Sequence, residues 1–363
     1  MTETAATDPA SDRRAETAST SSPSGRRTEA DNAGRAWNER WTQPDLAARA
    51  IGGAVLAAND ESFAEKENLI RPYPVIHQTH TFGHKGQLYD GWETRRRREA
   101  GHDWAIVRLG VPGLVSGVVV DTAYFTGNYP PQIALEACRL DGHPTIADLA
   151  EADWQTLVPL SEAKGDSRNE YEVDFAHRVT HVRLNIHPDG GVARLRVHGT
   201  PVPDPAAFAD LPLDLAALVN GAGISGASNA FYSNPVGAIM PGLPASQADG
   251  WETARRREDG HEWLEVRLAG RGVIRVAELD TTHLKYNAPG WASIEARDGD
   301  ETFELLPRTA ILPDTPHRLV LDNERPATSV RLNIFPDGGM ARLRLYGRLT
   351  EVALAEMQDR FAA

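Results

Sequence analysis

The chain contains two sequence blocks that each occur twice. Residues 90–104 (DGWETRRRREAGHDW) return at 249–263 as DGWETARRREDGHEW, and residues 183–199 (RLNIHPDGGVARLRVHG) return at 331–347 as RLNIFPDGGMARLRLYG. The first block recurs 159 positions later and the second 148, so the second copy lacks eleven residues, most simply between Cys138 and Trp154. Solenoid repeats are shorter, about 20 to 50 residues. The chain is therefore predicted to hold two copies of one globular domain.

Composition along the chain sets the boundaries of the two copies. Residues 1–36 carry almost no large apolar side chain, which predicts a disordered tail. We place copy one at 37–199, a proline-rich linker at 200–212 and copy two at 213–347. Apolar residues at helical spacing predict a C-terminal helix over 348–363, and Asp45 is predicted to cap a short helix over 45–51.

Short apolar runs separated by Gly, Pro and Asp indicate strands inside each copy. The segments 182–186 and 192–198 alternate apolar and polar residues around Asp189-Gly190-Gly191, which predicts a β-hairpin. With no helices alternating between the strands, each copy is predicted to be all-β, a jelly-roll or galactose-binding-like β-sandwich. Further strands are predicted at 104–109, 115–121 and 132–138, and at 263–268, 272–280 and 291–297.

Composition also limits the partners and the compartment. The formal net charge of −13 repels nucleic acid and anionic membrane surfaces, and no apolar run reaches the roughly 18 residues that span a bilayer. The single cysteine, Cys138, is predicted to be inert in a buried strand, which favours a reducing, cytoplasmic compartment. A small-molecule partner is expected, and the sequence leaves a homo-oligomer open.

Four blocks in copy one, with their counterparts in copy two, carry a family resemblance. DGWETRR at 90–96, GHDW at 101–104, DTAYFTGN at 121–128 and RLNIHPDGG at 183–191 closely resemble allantoicases over residues 50 to 347. The resemblance implies paired jelly rolls and a hydrolase of linear amidines, which converts allantoate to ureidoglycolate and urea. The chain departs from the family pattern at Tyr124, where the pattern has His, and at Glu262, where it has Asp.

Allantoate chemistry suggests which side chains would act. A site must anchor the carboxylate, supply water and protonate the departing ureido nitrogen. Guanidinium groups bind carboxylates with two parallel bonds, and amides suit a ureido arm. The predicted binding residues are Arg96, Arg97, Asn128, Arg255, Arg256 and Asn287, and the predicted catalytic residues are Asp90, Glu93, His102, His187, Asp249, Glu252, His261 and His283.

The two copies differ at a few places inside otherwise identical blocks. His187 stands against Phe335, Arg95 against Ala254 and Tyr124 against His283. Such positions show where one copy has specialised, but these three do not agree on which copy. Whether one or both copies turn over substrate stays open.

Other interpretations of the same residues stay open. The arginine runs are also typical of a solvated surface, and Asp189 to Gly191 of simple turn chemistry. No cofactor is expected to be required, although a divalent metal on His102 and Asp103 or on His187 and Asp189 is an alternative. No GxSxG elbow or reactive cysteine supports a covalent intermediate. The rival functions are a non-catalytic carbohydrate- or small-ligand-binding protein and a purely structural scaffold.

Overall fold

The structure, a computed structural model, describes residues 43–77 and 80–362. The predicted tail at 1–36 and the first residues assigned to copy one lie outside these ranges. No helix among the described residues is long and apolar enough to cross a membrane.

Both copies are β-sandwiches, which confirms the predicted fold class, and among the described strands the short β2–β3 pair of copy one has no counterpart in copy two. Copy one contains β1 (Ala54–Ala58), β2 (Phe82–Gly83), β3 (Gly86–Gln87), β4 (Trp92–Glu93), β5 (Asp103–Asp121), β6 (Gln132–Cys138), β7 (Gln155–Glu162), β8 (Arg168–Glu172), β9 (Arg178–His187), β10 (Gly191–Val192) and β11 (Arg194–Pro201). Copy two contains β12 (Leu213–Asp214), β13 (Gly223–Ala227), β14 (Trp251–Glu252), β15 (Glu262–Asp280), β16 (Trp291–Asp298), β17 (Glu301–Ala310), β18 (Pro316–Val320), β19 (Pro326–Phe335), β20 (Gly339–Met340) and β21 (Arg342–Leu349).

The helices are few and short. The α-helices are α1 (Ile146–Ala150) and α2 (Glu351–Ala362). Short 3-10 helices span Arg49–Ile51, Lys66–Ile70, Pro205–Ala207, Leu218–Asn220, Pro235–Ile239 and Gln247–Asp249.

One long strand in each copy serves both layers of the sandwich. The first half of β5 pairs with β1 and β9, and its second half pairs with β8 and β11. Strand β15 does the same in copy two, with β13 and β19 on its first half and β18 and β21 on its second. The sequence divided each of these strands into two, because the glycines near the middle resembled a turn.

The predicted hairpin between residues 182–186 and 192–198 is wrong. Strand β9 pairs with β5 and β6, whereas β11 pairs with β5 alone, and the two strands do not pair with each other. Between them, β10 pairs with β4. Alternation of apolar residues shows that a strand has a buried face, but it does not show which strand lies beside it.

The eleven-residue difference between the copies lies where the sequence placed it. Strands β6 and β7 are separated by residues 139–154, which include α1, whereas β16 and β17 are separated only by residues 299 and 300. Leu149 on α1 packs with Ile106 and Cys138 on the outer side of the copy-one sheet. The extra residues therefore cover a face that copy two leaves uncovered.

The buried setting predicted for Cys138 is confirmed, and burial raises the pKa of its thiol to about 11. Trp92 and Trp251 are fully buried, whereas Trp104 and Trp263 are half-buried. The helix predicted over 45–51 forms only as the 3-10 turn Arg49–Ile51. Asp45 accepts hydrogen bonds from the backbone of Ala47 and Val197, which ties this segment to β11 instead.

The C-terminal helix links the two copies. Helix α2 follows copy two, yet the carbonyl of Phe361 accepts a hydrogen bond from Arg178 of copy one at 3.1 Å. The Arg178 guanidinium also lies 3.9 Å from the centre of the Phe361 ring and binds Asp141 with two hydrogen bonds. The apolar cores of both copies form one continuous cluster.

Candidate active site

The turn after β9 brings three segments of copy one together. Thr94 and Gly190 exchange hydrogen bonds, in which the Thr94 amide donates to the Gly190 carbonyl and the Gly190 amide donates to Thr94 Oγ1, both at 3.1 Å. The amide of Gly191 donates to the carbonyl of Asn128 at 2.7 Å. Gly190 has φ 146°, and a Cβ on it would lie 2.6 Å from the nitrogen of Pro130, so this close approach requires glycine.

Glu93 stands at the meeting point of these segments. Its side chain is buried, and Asn128 Nδ2 donates to its Oε1 at 2.7 Å. Among the described residues, Glu93 has no cationic partner, and its Oε2 accepts no hydrogen bond. Burial raises the pKa of Glu93 above its ordinary value, and the Asn128 hydrogen bond offsets this only in part. A buried carboxyl group of this kind is a candidate proton donor.

Two histidines meet on the other side of the same turn. The rings of His102 and His187 lie 4.4 Å apart between centroids, at an interplanar angle of 31°. Burial lowers the pKa of His187, and the charge of His102 lowers it further. His187 is therefore neutral near pH 7 and able to accept a proton. The turn 187–191 connects this pair to Gly191, which pairs with Glu93 across β10 and β4.

Arg97 supports the loop that carries His102. Its guanidinium donates to Asp103 Oδ1 at 2.6 Å, and its backbone amide donates to Asp189 Oδ2 at 2.7 Å. Asp103 is buried and also accepts from Asn59. With its charge neutralised by Asp103, Arg97 holds the two loops together and is less suited to anchor a ligand.

Arg96 and Arg98 are the members of the run that are left available. Both side chains are exposed and have no hydrogen-bond or ion-pair partner among the described residues, and Arg96 is the nearer of the two to Glu93 in the sequence. Arg95, by contrast, binds Asp60. In copy two, Arg255 is exposed and unpaired within the described ranges in the same way, and Arg256 is bound to Glu262 and Asp337.

Asp90 is engaged in the framework of copy one. Its carboxylate accepts from Arg194 at 2.7 Å, from Arg71 at 3.2 Å and from the amide of Ile76 at 2.9 Å. Burial alone would raise the pKa of Asp90, but the hydrogen bonds from Arg194 and Ile76 hold it below its ordinary value. These contacts give Asp90 a structural role as the anchor of the 71–76 segment. In copy two, Asp249 accepts from the amide of Ala245 and lies 4.0 Å from Arg342.

Copy two repeats the frame of this site with different occupants. Asn287 donates to Glu252 Oε1 at 2.6 Å, and Gln247 donates to its Oε2 at 2.9 Å, so both oxygens of Glu252 are engaged. The position equivalent to Gln247 in copy one is Leu88, which cannot donate. His261 packs on Phe335 with ring centroids 4.6 Å apart, where copy one has two histidines.

His283 and Tyr124 occupy equivalent loop positions and share a left-handed backbone, with φ of 71° and 67°. The His283 ring contacts the carbonyl of Pro244 at 3.1 Å. Tyr124 stacks on His77 with ring centroids 4.6 Å apart. Neither side chain hydrogen-bonds to Glu93 or Glu252.

Sequence reasoning missed Arg308, which lies over the ring of Phe335 at 4.2 Å. Arg308 lies on β17, outside the repeated sequence blocks. Only its position next to Trp291 and Phe335 in the sheet could have indicated it. Among the described residues, no group of three or more His, Cys, Asp or Glu side chains is placed to hold a metal ion.

Comparison with known proteins gives one consistent family. The sequence model of the family described as "Allantoicase repeat" matches residues 44–202 and 213–350. A protein of Nocardia farcinica named probable allantoicase is 54% identical over 310 residues, covering 84% of this chain and 94% of the relative. A probable allantoicase of Streptomyces coelicolor is 48% identical over 331 residues, covering 87% of this chain and 88% of the relative.

Solved structures agree with the sequence comparison. The crystal structure of an allantoicase from Saccharomyces cerevisiae superposes with a TM-score of 0.75 at 30% identity, covering 88% of this chain and 98% of that one. A second allantoicase structure also gives 0.75, at 32% identity, covering 85% of this chain and 93% of that one.

The different settings of Asp90 and Asp249 lead to a prediction about stability. Asp90→Ala leaves the Arg194 side chain, 3% exposed, without its ion partner, and should cost about 3 kcal/mol in the free energy of unfolding. Asp249→Ala is the matched control, because its carboxylate is 38% exposed and 4.0 Å from Arg342, and should cost about 1 kcal/mol or less. Guanidinium denaturation of both variants measures the difference. Equal losses would show that Asp90 does not anchor the framework.

Proposed function

The chain belongs to the allantoicase family, and we propose where in its fold it hydrolyses allantoate to ureidoglycolate and urea: at the site of copy one formed around Glu93 and His187. Loss of urea requires a proton on the departing ureido nitrogen and a base for the attacking water. It also requires a cation for the substrate carboxylate. Copy one offers a group for each need.

The observation that carries this proposal is the state of the Glu93 carboxyl group. It is buried, has no cationic partner among the described residues, and keeps one oxygen without a hydrogen bond. Its raised pKa favours the protonated form, which is the form that a general acid needs. We assign Glu93 to the protonation of the leaving nitrogen.

His187 is the matching base. Its lowered pKa keeps the imidazole neutral, and His102 packs against it, so that it is held in one place. In direct displacement, His187 takes a proton from water, the water oxygen bonds to the central carbon, and the carbon–nitrogen bond breaks as Glu93 protonates the nitrogen. In elimination, His187 takes the proton of the remaining ureido N–H instead, and water adds afterwards. Either course gives ureidoglycolate and urea.

Arg96 and Asn128 are assigned to substrate binding. Arg96 lies three residues beyond Glu93 on the same loop, exposed and unpaired among the described residues, which suits a bidentate grip on the carboxylate. Asn128 donates to Glu93 through its nitrogen, which leaves its amide oxygen to accept from a ureido N–H. Arg97 and Asp103 act as positioning residues for the loop that carries His102.

Copy two does not take this role in the proposal. Gln247 and Asn287 occupy both oxygens of Glu252, and Phe335 replaces the base at the position of His187. Three other predicted catalytic groups belong to copy two. Asp249 accepts a hydrogen bond from the amide of Ala245, His261 packs on Phe335, and His283 contacts the carbonyl of Pro244.

A reducing, cytoplasmic compartment is also proposed. Its support is the composition, with Cys138 as the single cysteine, together with the buried, inert setting of that thiol.

Exchanging His187 and Phe335, which occupy equivalent positions in the two copies, tests which copy is active. His187→Phe gives copy one the residue of copy two and should lower kcat for urea release by about 10² to 10⁴, because the base is lost. The matched control, Phe335→His, should leave kcat within about twofold of the unmodified chain. Circular dichroism of both variants checks that they fold. Full activity in His187→Phe would remove copy one from the proposal.

The pH dependence of kcat/KM tests the acid and base assignments. Activity should rise with pH as His187 loses its proton, with a pKa below its ordinary 6.5, and fall as Glu93 loses its proton, with a pKa above its ordinary 4.5. Glu93→Gln should lower kcat about 10²-fold or more and remove the falling limb, whereas Glu252→Gln should retain both limbs. A falling limb that persists in Glu93→Gln would show that another group donates the proton.

A further inference from the structure

Three neighbouring positions differ between the two copies. Gln132 pairs with His187 across β6 and β9 in copy one, and Trp291 pairs with Phe335 across β16 and β19 in copy two. The third position is Leu160 on β7, which becomes Arg308 on β17. A polar pair beside a leucine has become an aromatic pair beside an arginine.

In copy two, Arg308 lies over the rings of both Phe335 and Trp291. The guanidinium carbon of Arg308 lies 4.2 Å from the centre of the Phe335 ring and 5.7 Å from that of Trp291. Phe335 also contacts His261, which is fixed by a hydrogen bond of its Nε2 to Asn333 Oδ1 at 3.1 Å. Trp291 is 45% exposed.

The guanidinium group of Arg308 is available to bind a ligand. Within the described ranges it forms no hydrogen bond and no ion pair, whereas Arg271, Arg318 and Arg325 of the same copy are bound to carboxylates. Stacking on a ring uses the face of a guanidinium and leaves the N–H groups at its edge free. Those groups match a carboxylate, and the exposed Trp291 indole offers a flat surface to planar ureido groups.

From this arrangement we infer that copy two holds a second, non-hydrolytic binding site for a small ureido carboxylate, with Arg308 bound to the carboxylate and the ureido group against Trp291. The inference rests on the proposed function in one respect, since it assigns turnover to copy one. Copy two keeps the frame of the site, but Gln247 and Asn287 engage Glu252 fully and Phe335 replaces the base. The ligand is therefore retained without cleavage.

The test counts bound allantoate in the full chain whose turnover is slowed by Glu93→Gln. Equilibrium dialysis gives the number of moles bound per chain, and adding Arg308→Leu, which restores the copy-one residue, should remove one of them. Arg308→Lys should weaken that site at least about tenfold, because lysine lacks the bidentate edge.

Arg325→Leu is the matched control. Arg325 also lies over an aromatic ring, that of Phe303 at 4.0 Å, but its guanidinium is bound to Glu301 at 2.8 Å. Its substitution should leave the number of bound molecules unchanged. If Arg308→Leu removes no bound molecule from a folded chain, or if Arg325→Leu removes the same one, the copy-two site is disproved.

A urea assay on the same samples keeps the two proposals apart. Urea release by Glu93→Gln at the rate of the unmodified chain contradicts the catalytic assignment. In that case the comparison of Arg308→Leu with Arg325→Leu is made with ureidoglycolate, which carries the same carboxylate and one ureido arm. The binding result then decides the copy-two site by itself.

Discussion

The close backbone contact at Gly190 is the constraint on which the rest of the site depends. Thr94 and Gly190 exchange two hydrogen bonds, and any side chain at Gly190 would strike the 128–130 segment. This contact places Glu93 beside Asn128 and leads the chain back to His187 within four residues. In the proposed function, this brings the acid and the base to one substrate although they lie about 90 residues apart in the sequence.

Duplication kept this contact and let the side chains around it diverge. Thr253 and Gly338 exchange the same pair of hydrogen bonds in copy two, and Asn287 reaches Glu252 as Asn128 reaches Glu93. The copies differ at residues around this contact: Leu88 of copy one corresponds to Gln247 of copy two, and His187 corresponds to Phe335. Because the groups that hold the frame are the same in both copies, these differences leave its fold unchanged.

The duplication, the all-β class and the site of the insertion could be predicted from the sequence, because repeated blocks and period-two alternation are local signals. Partner choice could not. The block of Asp90 predicts a catalytic residue but does not show its ion pair with Arg194, which is 104 residues away. The arginine run predicts Arg97 as a substrate anchor but does not show its bonds to Asp103 and Asp189. A motif shows which side chains are present, whereas tertiary contacts decide which of them keep a free charge.

Locating a bound ligand tests the central claim most directly. A crystal structure of the chain with an unreactive allantoate analogue should show, in copy one, a ureido nitrogen within about 2.6 to 3.2 Å of a Glu93 oxygen. The carboxylate of the same molecule should lie against Arg96. An analogue bound with its ureido groups away from both Glu93 and His187 would contradict the account.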